Sequence, residues 1–391
     1  YYAQQTLMIT CPTPGATVDY TITGSYSKNT SKTNQALPVT ITLSESMIVS
    51  ATAKKNPKNN SAPVDKAYTL QVPAPTIAKY YDSANDKAYF TVSAPGASVC
   101  YTIGTTAANP TASTANASTA SFVGSKSSTV RALACKTGWT TSDTAGYSFP
   151  VVSFHNDKTY GTLPTSYISY PNATITPPSD NSSLYRINYG GSSSKCIGWN
   201  TSDGQANKLN SFVMPDYDVT LYPVWQALAV GDTGPAGGKI FYAAGSYSAG
   251  WRYLEAGSIS TDTFKWSSQS TAVQGTDIND DSKLGLGYDN TQLIADIDTG
   301  APKGAATYCS NLTVTVNGFA FNDWYLPSAK ELETAYANIS SLPSTSVWSS
   351  TQVAGNKEKA IYFSNKTKGD VLTEACRKIT NSYYAIPVRR F

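Results

Sequence analysis

Apolar and polar residues alternate in short stretches along the first part of the chain. Residues 99–103 read V-C-Y-T-I and follow the turn-forming pair Pro95-Gly96. Alternation after such a turn indicates short antiparallel strands. After Ser328 the apolar residues recur at i, i+3, i+4 and i+7, which is one face of a helix. These positions are Leu332, Ala335, Tyr336 and Ile339, and a narrower stripe within a second predicted helix, residues 301–311, consists of Ala305, Ala306 and Cys309.

The stretch N-D-W-Y-L-P-S-A-K-E-L at residues 322–332 predicts how the longer helix begins. Ser328 followed three residues later by Glu331 is a capping box, in which each side chain satisfies a backbone N–H of the other residue. Glu331 is therefore interpreted as a helix cap and not as a catalytic acid. Asp323 and Trp324 lie in the loop that leads into the helix, and we expect them to belong to the frame of the fold.

The first 150 residues contain an internal repeat with an offset of 81 residues. Residues 14–22 reappear at 95–103 with Pro, Gly, Ala, Val, Tyr, Thr and Ile in matching places, and residues 48–55 match residues 129–136. Two exchanges are informative, because Asp19 of the first copy aligns with Cys100 and Lys54 aligns with Cys135. If these positions face each other across neighbouring strands, an ion pair links the two strands in one copy and a disulfide links them in the other. We therefore predict a Cys100–Cys135 disulfide and an Asp19–Lys54 contact.

Composition narrows the class of protein. The chain has 391 residues, of which 40% are hydrophobic, 14% are charged and 27 are tyrosine, a profile that favours strands and turns in several domains. The net charge of +3 is too small to indicate a nucleic-acid partner, although the last 35 residues are locally basic. No apolar stretch reaches the length of a membrane span and no signal peptide is present, so Tyr1 is expected to begin a processed or trimmed chain.

Six cysteines lie far apart and form no CxxC pair, and His155 is the single histidine. This spacing argues against a zinc site and fits structural disulfides formed in an oxidising compartment. Cys196 is expected to be a buried thiol, and Cys11 has no evident partner.

Residues 1–226 resemble two known families of repeats. The P-G-A-x-V-x-Y-T-I block and the later T-V-x-A-type strand resemble the chitobiase/beta-hexosaminidase C-terminal repeat, a small β-sandwich module appended to secreted bacterial proteins. The first copy lacks a counterpart of the entry strand at residues 73–77. Residues 151–225 contain V-S-F, G-W and F-V-M-P-D-Y-D-V-T-L-Y-P-V-W, which resemble the Listeria–Bacteroides (internalin B) repeat. That resemblance implies a β-grasp-like spacer.

Residues 231–391 resemble the Lcl C-terminal domain family of bacterial surface proteins. The resemblance is carried by G-D-T-G-P-A-G-G-K-I-F-Y, W-R-Y-L-E-A, D-W-Y-L-P-S-x-x-E-L, V-W-S-S-T, A-I-Y-F and the terminal I-P-V-R-R-F. It implies a C-type lectin-like fold related to the formylglycine-generating enzyme, with a rigid frame of few helices and a small sheet. Ligands would be contacted by irregular loops and late strands, whereas Trp348 and Arg389 would belong to the frame.

The known activities of such folds do not transfer to this chain. Cys309 and Cys376 are 67 residues apart, unlike the close cysteine pair of the formylglycine-generating enzymes, and a disulfide between them is predicted instead. This region contains no histidine for a catalytic triad, and nothing in the sequence brings two of its glutamates together as in a glycosidase. We predict that the chain is not an enzyme and needs no cofactor, with calcium as the one open alternative. The calcium ligands would be Asp277, Asp280 and Asp281.

The predicted fold class is mainly β and multidomain: two β-sandwich repeats, a β-grasp-like spacer and an α+β C-type lectin-like head. The predicted boundaries are 1–72, 73–150, 151–226 and 227–391. The predicted function is that of a bacterial cell-surface or secreted adhesin whose β-rich stalk presents the head to a glycan or protein ligand. Two alternatives stay open, namely a structural subunit of an extracellular filament that assembles by strand addition, and a retroelement-diversified receptor.

The predicted binding face uses loops between residues 266 and 288 and the late segment between residues 349 and 384. Aromatic and amide side chains in these segments are expected to stack on sugar rings or to anchor a protein ligand. The candidate contact residues are Trp266, Tyr288, Gln352, Asn356, Lys357, Arg377, Asn381, Tyr383 and Tyr384.

Overall fold

The computed structural model describes most of the chain. The described residues are 1–27, 29–112, 117–156, 159–178, 181–188, 191–269, 273–275, 278–354, 358–364 and 372–391, with the backbone alone for 181–183, 248 and 372–377. The protein is mostly β, with 43% of residues in strands and 8% in helices, arranged in many sheets, which confirms the predicted fold class. None of the helices in the described part of the chain has the length and apolar character that a membrane crossing requires.

The chain divides into two compact units. Unit 1 comprises residues 1–152, 167–174 and 213–219, and unit 2 comprises residues 153–166, 175–212 and 220–391. Unit 1 therefore contains both sequence repeats. Unit 2 contains the predicted head together with much of the predicted spacer.

The first repeat forms two sheets that face each other across an apolar core of Ile41, Leu43, Met47, Val49 and Leu70. One sheet has the order β1-β4 and the other the order β3-β2-β5-β6. The strands are β1 Gln5–Ile9, β2 Thr17–Gly24, β3 Asn29–Ala36, β4 Val39–Leu43, β5 Met47–Lys54 and β6 Val64–Tyr68.

The second repeat also has six strands in two sheets among its described residues, divided three and three where the first repeat has two and four. Its sheets have the orders β10-β8-β7 and β12-β11-β9, and Phe90, Val92, Val99 and Val130 lie in the core between them. The strands are β7 Thr76–Asp82, β8 Lys87–Ser93, β9 Ser98–Gly104, β10 Thr119–Gly124, β11 Thr129–Cys135 and β12 Ala145–Ser148.

The exchanged pair of positions occupies the same place in both repeats. Asp19 pairs with Thr52 across β2 and β5, and Lys54 lies two residues further along β5. The side chains of Asp19 and Lys54 form an ion pair, as predicted. Cys100 and Cys135 hold the equivalent diagonal places on β9 and β11, and their sulfur atoms lie 3.2 Å apart. The structure thus brings the two thiols into contact, and the disulfide between them stays a prediction.

The third predicted segment, residues 151–226, contributes to both units. Cys196 is buried at 2% exposure and donates its S–H to the carbonyl of Gly198, so the expected buried thiol is confirmed. The strands are β13 Val151–Phe154, β14 Tyr167–Ile168, β15 Thr174–Ile175, β16 Asn181–Arg186, β17 Ser194–Asn200, β18 Phe212–Val213 and β19 Val219–Ala227.

The described part of unit 2 beyond these strands has three sheets of orders β20-β21-β27, β22-β23 and β24-β25-β26. Its two largest buried clusters lie around Leu332 and around Trp266. The helix predicted at residues 301–311 begins later, because Gly304 is extended and caps a helix that starts at Ala305. The elements are β20 Lys239–Ser248, β21 Trp251–Ala256, α1 Gly287–Ile297, α2 Ala305–Ser310, β22 Val314–Val316, β23 Phe319–Phe321, α3 Ala329–Asn338, β24 Val347–Gln352, β25 Lys359–Ser364, β26 Leu372–Arg377 and β27 Val388–Arg390.

Residues 322–332 form the frame that the sequence predicted. The Ser328 hydroxyl accepts from the backbone N–H of Glu331, and the Glu331 carboxylate accepts from the backbone N–H of Ser328, which confirms the capping box of α3. Glu331 is fully buried and also accepts from the Tyr325 hydroxyl at 3.0 Å and the Gly285 N–H at 3.2 Å. Burial raises the pKa of Glu331, although these hydrogen bonds favour its charged form.

A buried arginine ties the loop before α3 to the last strand. Arg389, 1% exposed, donates to both oxygens of Asp323 at 2.8 Å and to Glu255 Oε2 at 3.1 Å. Glu255 is itself fully buried and accepts backbone N–H groups of Ala236 and Gly238. The interpretation of Arg389 and Asp323 as frame residues is therefore confirmed.

Candidate functional site

Two of the residues predicted to contact ligand are parts of the core instead. Trp266 is fully buried, and its indole N–H donates to the carbonyl of Ser349 at 2.7 Å. Gln352 is 2% exposed and is held by the N–H of Val273, by Lys378 and by Asn279. These two predictions were wrong, because neither side chain reaches the surface.

Three other predicted residues are half-buried. The Tyr383 ring stacks on Tyr362 at 4.4 Å between centroids and meets Trp348 at 4.7 Å, while its hydroxyl accepts from Asn381. Tyr384 packs against the buried cluster around α3. Asn381 and Tyr383 thus lie at the surface with one side held in place, whereas Tyr384 mainly supports the frame.

Tyr288 lies elsewhere on this unit, at the start of α1. Its ring lies 4.3 Å from the guanidinium of Arg390 and meets Tyr325 edge-on at 5.9 Å. The structure therefore does not bring Tyr288 into one site with Asn381 and Tyr383.

Several predicted site residues fall where the structure gives no side chain. Asn356, Lys357 and Asp277 lie outside the described residues, as do the side chains of Arg377 and Cys376. Cys309, the proposed partner of Cys376, is a fully buried thiol whose pKa is raised by that burial. The Cys309–Cys376 disulfide is not found among the described side chains and stays a prediction.

The proposed calcium ligands are only partly described. Asp280 accepts from the backbone N–H and the hydroxyl of Ser282 and pairs with Lys283 at 3.0 Å, and these contacts lower its pKa to about 2. Asp281 is exposed. Within the described ranges no group of three or more histidine, cysteine, aspartate or glutamate residues forms a metal site. Calcium binding at Asp277, Asp280 and Asp281 stays a prediction.

A surface cleft of about 530 Å³ lies beside the late segment and is the candidate site. It opens between the strand-like residues 263–265 and helix α2, with Ser382 at one end. The lining residues are Thr263, Phe264, Lys265, Pro302, Lys303, Thr307, Tyr308, Asn311, Leu312, Thr313 and Ser382.

The base of the cleft is a pair of stacked aromatic rings. The centroids of Phe264 and Tyr308 lie 4.4 Å apart with an angle of 24° between the rings. The backbone of Phe264 is fixed, because it exchanges two hydrogen bonds with Tyr383 at 2.8 and 2.9 Å and its carbonyl also accepts the Trp348 indole N–H. Burial raises the pKa of Tyr308, so this phenol is neutral at physiological pH. The two rings stack on each other and together form an apolar part of the cleft wall.

The rim of the cleft is held by a buried carboxylate. Asp298 accepts from the N–H of Ser268, from the N–H of Gly304 and from the hydroxyl of Thr307. Burial alone would raise the pKa of Asp298, but these hydrogen bonds outweigh it and hold the pKa below its usual value. The loop between α1 and α2 is therefore anchored at both ends.

Two lysines, Lys265 and Lys303, line the cleft at this rim. Lys303 donates to the backbone carbonyl of Asp298, and the backbone carbonyl of Lys265 accepts from the first residue of α2. Among the described residues that line the cleft, none is a histidine, cysteine, aspartate or glutamate. The site thus combines two aromatic rings, two lysines and hydroxyl and amide groups, which are groups that bind a polar or anionic ring.

Sequence reasoning missed Phe264 and Tyr308, although it selected Trp266 two residues from Phe264. The stretch T-F-K-W at residues 263–266 could have indicated Phe264, because Phe264 and Trp266 share one side of an extended stretch. Tyr308 lies off the apolar stripe of α2, which marked it as a surface residue.

Comparisons with known proteins add little to this geometry. A scan against protein-family models found no match, and a search of curated proteins found none either. Among solved structures, the chain is similar to the selenomethionine-substituted chicken interferon gamma receptor alpha chain, at 10% sequence identity and a TM-score of 0.20. The similarity covers 37% of this chain and 91% of that chain. A TM-score this low carries no argument about the fold or the function.

Proposed function

We propose that the chain is a bacterial cell-surface or secreted recognition protein whose unit 2 binds a glycan or a protein surface at the cleft of Phe264 and Tyr308. The observation that carries the proposal is the stacked aromatic pair at the base of a cleft with a polar, cationic rim. Aromatic faces take up the apolar faces of sugar rings and cost little conformational entropy on binding.

Charge at the rim narrows the ligand class. Lys265 and Lys303 line the described cleft and no carboxylate side chain does, although the carboxylates of Asp298 and Asp262 act on its lining residues Thr307 and Tyr308. We expect the two lysines to favour an acidic sugar or an acidic protein patch over a neutral one. Binding would then weaken as salt is raised, because exposed charges are screened within about 8 Å at physiological ionic strength.

An extracellular location is supported by unit 1. The contact of the Cys100 and Cys135 sulfur atoms on neighbouring strands is the arrangement that an oxidising compartment converts into a disulfide. The repeats then act as a spacer for the recognition unit.

The test is an immobilised-glycan screen with the full chain, with and without calcium, on panels of acidic and neutral glycans. Tyr308→Ala should weaken binding of a selected glycan at least about fivefold, since truncation of an aromatic anchor costs more than about 1 kcal/mol. Lys303→Ala should weaken acidic glycans more than neutral ones. Tyr217→Ala, which removes a tyrosine that is 70% exposed in unit 1, is the matched control.

Equal affinity of a glycan for Tyr308→Ala and for the unchanged chain would show that the glycan does not bind at the cleft of Phe264 and Tyr308. If no glycan on any panel binds the chain but an acidic protein does, a protein partner at the same site is favoured.

A further inference from the structure

Two exposed tyrosines lie directly opposite each other on one sheet of the second repeat. Tyr80 of β7 pairs with Tyr89 of β8 across the two antiparallel strands. Tyr80 is 65% exposed and Tyr89 is 40% exposed, whereas the next residue of each strand, Tyr81 or Phe90, packs into the core. Because side chains alternate between the two faces of a sheet, both exposed rings lie on its outer face. Reagents in solution therefore reach both phenols.

The rings of Tyr80 and Tyr89 lie side by side. Their centroids are 6.2 Å apart and their planes differ by 32°. This separation is larger than the 4.4 Å between the stacked rings of Tyr362 and Tyr383, so Tyr80 and Tyr89 do not stack face to face. Residues directly opposite each other on antiparallel strands have Cβ atoms about 5 Å apart. Rotation about the side-chain bonds of these exposed residues thus brings the ring carbons beside the two hydroxyls into contact.

Other tyrosine contacts in the described part of the chain are less accessible. The Tyr81 ring lies 4.4 Å from that of Tyr170, but both residues are half-buried and the Tyr81 hydroxyl donates to Asp86. Tyr362, which stacks on Tyr383, is 8% exposed. Among the ring contacts between described tyrosines, the contact of Tyr80 with Tyr89 is the one in which both residues are exposed.

We propose that Tyr80 and Tyr89 are a site of oxidative modification, where a peroxidase joins the two rings into a dityrosine cross-link. Each phenol gives up one electron and one proton and becomes a phenoxyl radical. The two radicals form a carbon–carbon bond between the ring carbons beside their hydroxyls, and the hydrogen of each bonded carbon then moves to the oxygen. The peroxidase passes the two electrons and two protons to hydrogen peroxide, which becomes two molecules of water.

Proximity favours a bond within the pair over a bond between chains. Groups joined by a short connection have an effective concentration on the order of 1 mM. In a solution of about 1 µM protein, coupling of Tyr80 with Tyr89 is therefore favoured about 1,000-fold over coupling with another molecule.

The cross-link would join β7 covalently to β8. Strand β7 lies at the edge of the sheet of order β10-β8-β7. The contact of Cys100 with Cys135 lies in the other sheet, between β9 and β11. The second repeat thus has a place for one covalent link in each of its two sheets. This site does not depend on the cleft of Phe264 and Tyr308.

The experiment treats about 1 µM full chain with a haem peroxidase and limiting hydrogen peroxide. Trypsin cleaves after Lys79, Lys87 and Lys126, which places Tyr80 and Tyr89 on separate peptides, 80–87 and 88–126. Mass spectrometry should find these two peptides joined, with a mass lower by two hydrogen atoms than their sum. The joined peptide should show dityrosine fluorescence, and the protein should stay monomeric on a denaturing gel.

Conservative variants assign the bond to its two residues. Tyr80→Phe and Tyr89→Phe each keep an aromatic ring and remove a phenol, so either variant should lose the joined peptide. Tyr101→Phe removes the other tyrosine of peptide 88–126 and is the matched control, which should keep it. A joined peptide that survives in Tyr80→Phe overturns the proposal. Chains linked to each other as the main product, or no dityrosine while a tyrosine peptide in the same solution is oxidised, also overturn it.

Hydrogen exchange tests whether the bond holds the edge strand. In the cross-linked chain the amides of β7 should exchange at least about tenfold more slowly, because the bond closes the loop between the two strands. Amides of β2, in the first repeat, are the reference and should not change. Unchanged exchange of β7 would overturn the role of the cross-link in holding this strand.

Discussion

Replacing Arg389 by methionine tests how unit 2 is held together. The variant removes three hydrogen bonds to carboxylates, two to Asp323 and one to Glu255. Asp323 is 41% exposed at its side chain and regains water, but Glu255 is fully buried and does not. Removal of one partner of a buried ion pair costs about 3–5 kcal/mol, because the other charge stays buried. We expect the free energy of unfolding of unit 2 to fall by about 3–5 kcal/mol, mainly because the buried carboxylate of Glu255 loses its partner.

The assay is hydrogen exchange of the full chain, followed by mass spectrometry of peptides from β21 and α3. A loss of 3–5 kcal/mol in the free energy of opening speeds exchange about 150- to 5,000-fold, since each 1.4 kcal/mol is a factor of ten. Peptides of β9, in unit 1, are the internal reference. Asp323→Asn is the matched variant, and we expect it to cost about 1 kcal/mol, because it leaves the Arg389–Glu255 contact in place.

The pH dependence of stability and a second substitution test whether Glu255 causes the loss of stability in Arg389→Met. Burial already raises the pKa of Glu255, and loss of the neighbouring guanidinium raises it further. A carboxyl group with a raised folded pKa destabilises the fold at pH values above its unfolded pKa, so the deficit of Arg389→Met should shrink as the pH falls. Adding Glu255→Gln should recover much of the loss. A cost no larger than that of Asp323→Asn, or no recovery with Glu255→Gln, would refute this reasoning.

Three further predictions concern single side chains. Mass mapping of the protein isolated from an oxidising compartment should find Cys100 bonded to Cys135, and reduction should lower the free energy of unfolding of unit 1 by about 3–4 kcal/mol; a free thiol at either position contradicts this. Burial lowers the pKa of Lys378 from 10.5 to about 8, so the unfolded chain binds more protons between these pH values and stability should rise with pH by about 3 kcal/mol across that window. Lys378→Met should lack this rise in a pH series of denaturation curves, and a rise that survives the substitution refutes the assignment. Ser328→Ala should cost about 1 kcal/mol and speed exchange of the α3 amides about fivefold, whereas unchanged exchange would mean that the cap is not used.

Local patterns in the sequence predicted the elements whose causes lie within a few residues. The capping box of Ser328 and Glu331 was readable because both partners lie in one helical turn. The repeat was readable because residues 14–22 and residues 48–55 recur at the same offset of 81 residues. The structure then showed that the exchange of Asp19 and Lys54 for Cys100 and Cys135 preserves one contact between neighbouring strands. These features depend on chain-local geometry, which a sequence states directly.

Only the tertiary structure decided which aromatic residues reach the surface. Phe264 and Trp266 lie on the same side of one extended stretch, so alternation does not distinguish them. Trp266 is covered because its indole meets the carbonyl of Ser349, 83 residues away, whereas Phe264 stays half open and stacks on Tyr308. The cover comes from distant parts of the chain, and burial depends on which segments fold over a residue and not on its neighbours in sequence. The cleft, unlike helix α2 on one side of it, therefore exists only in the folded molecule.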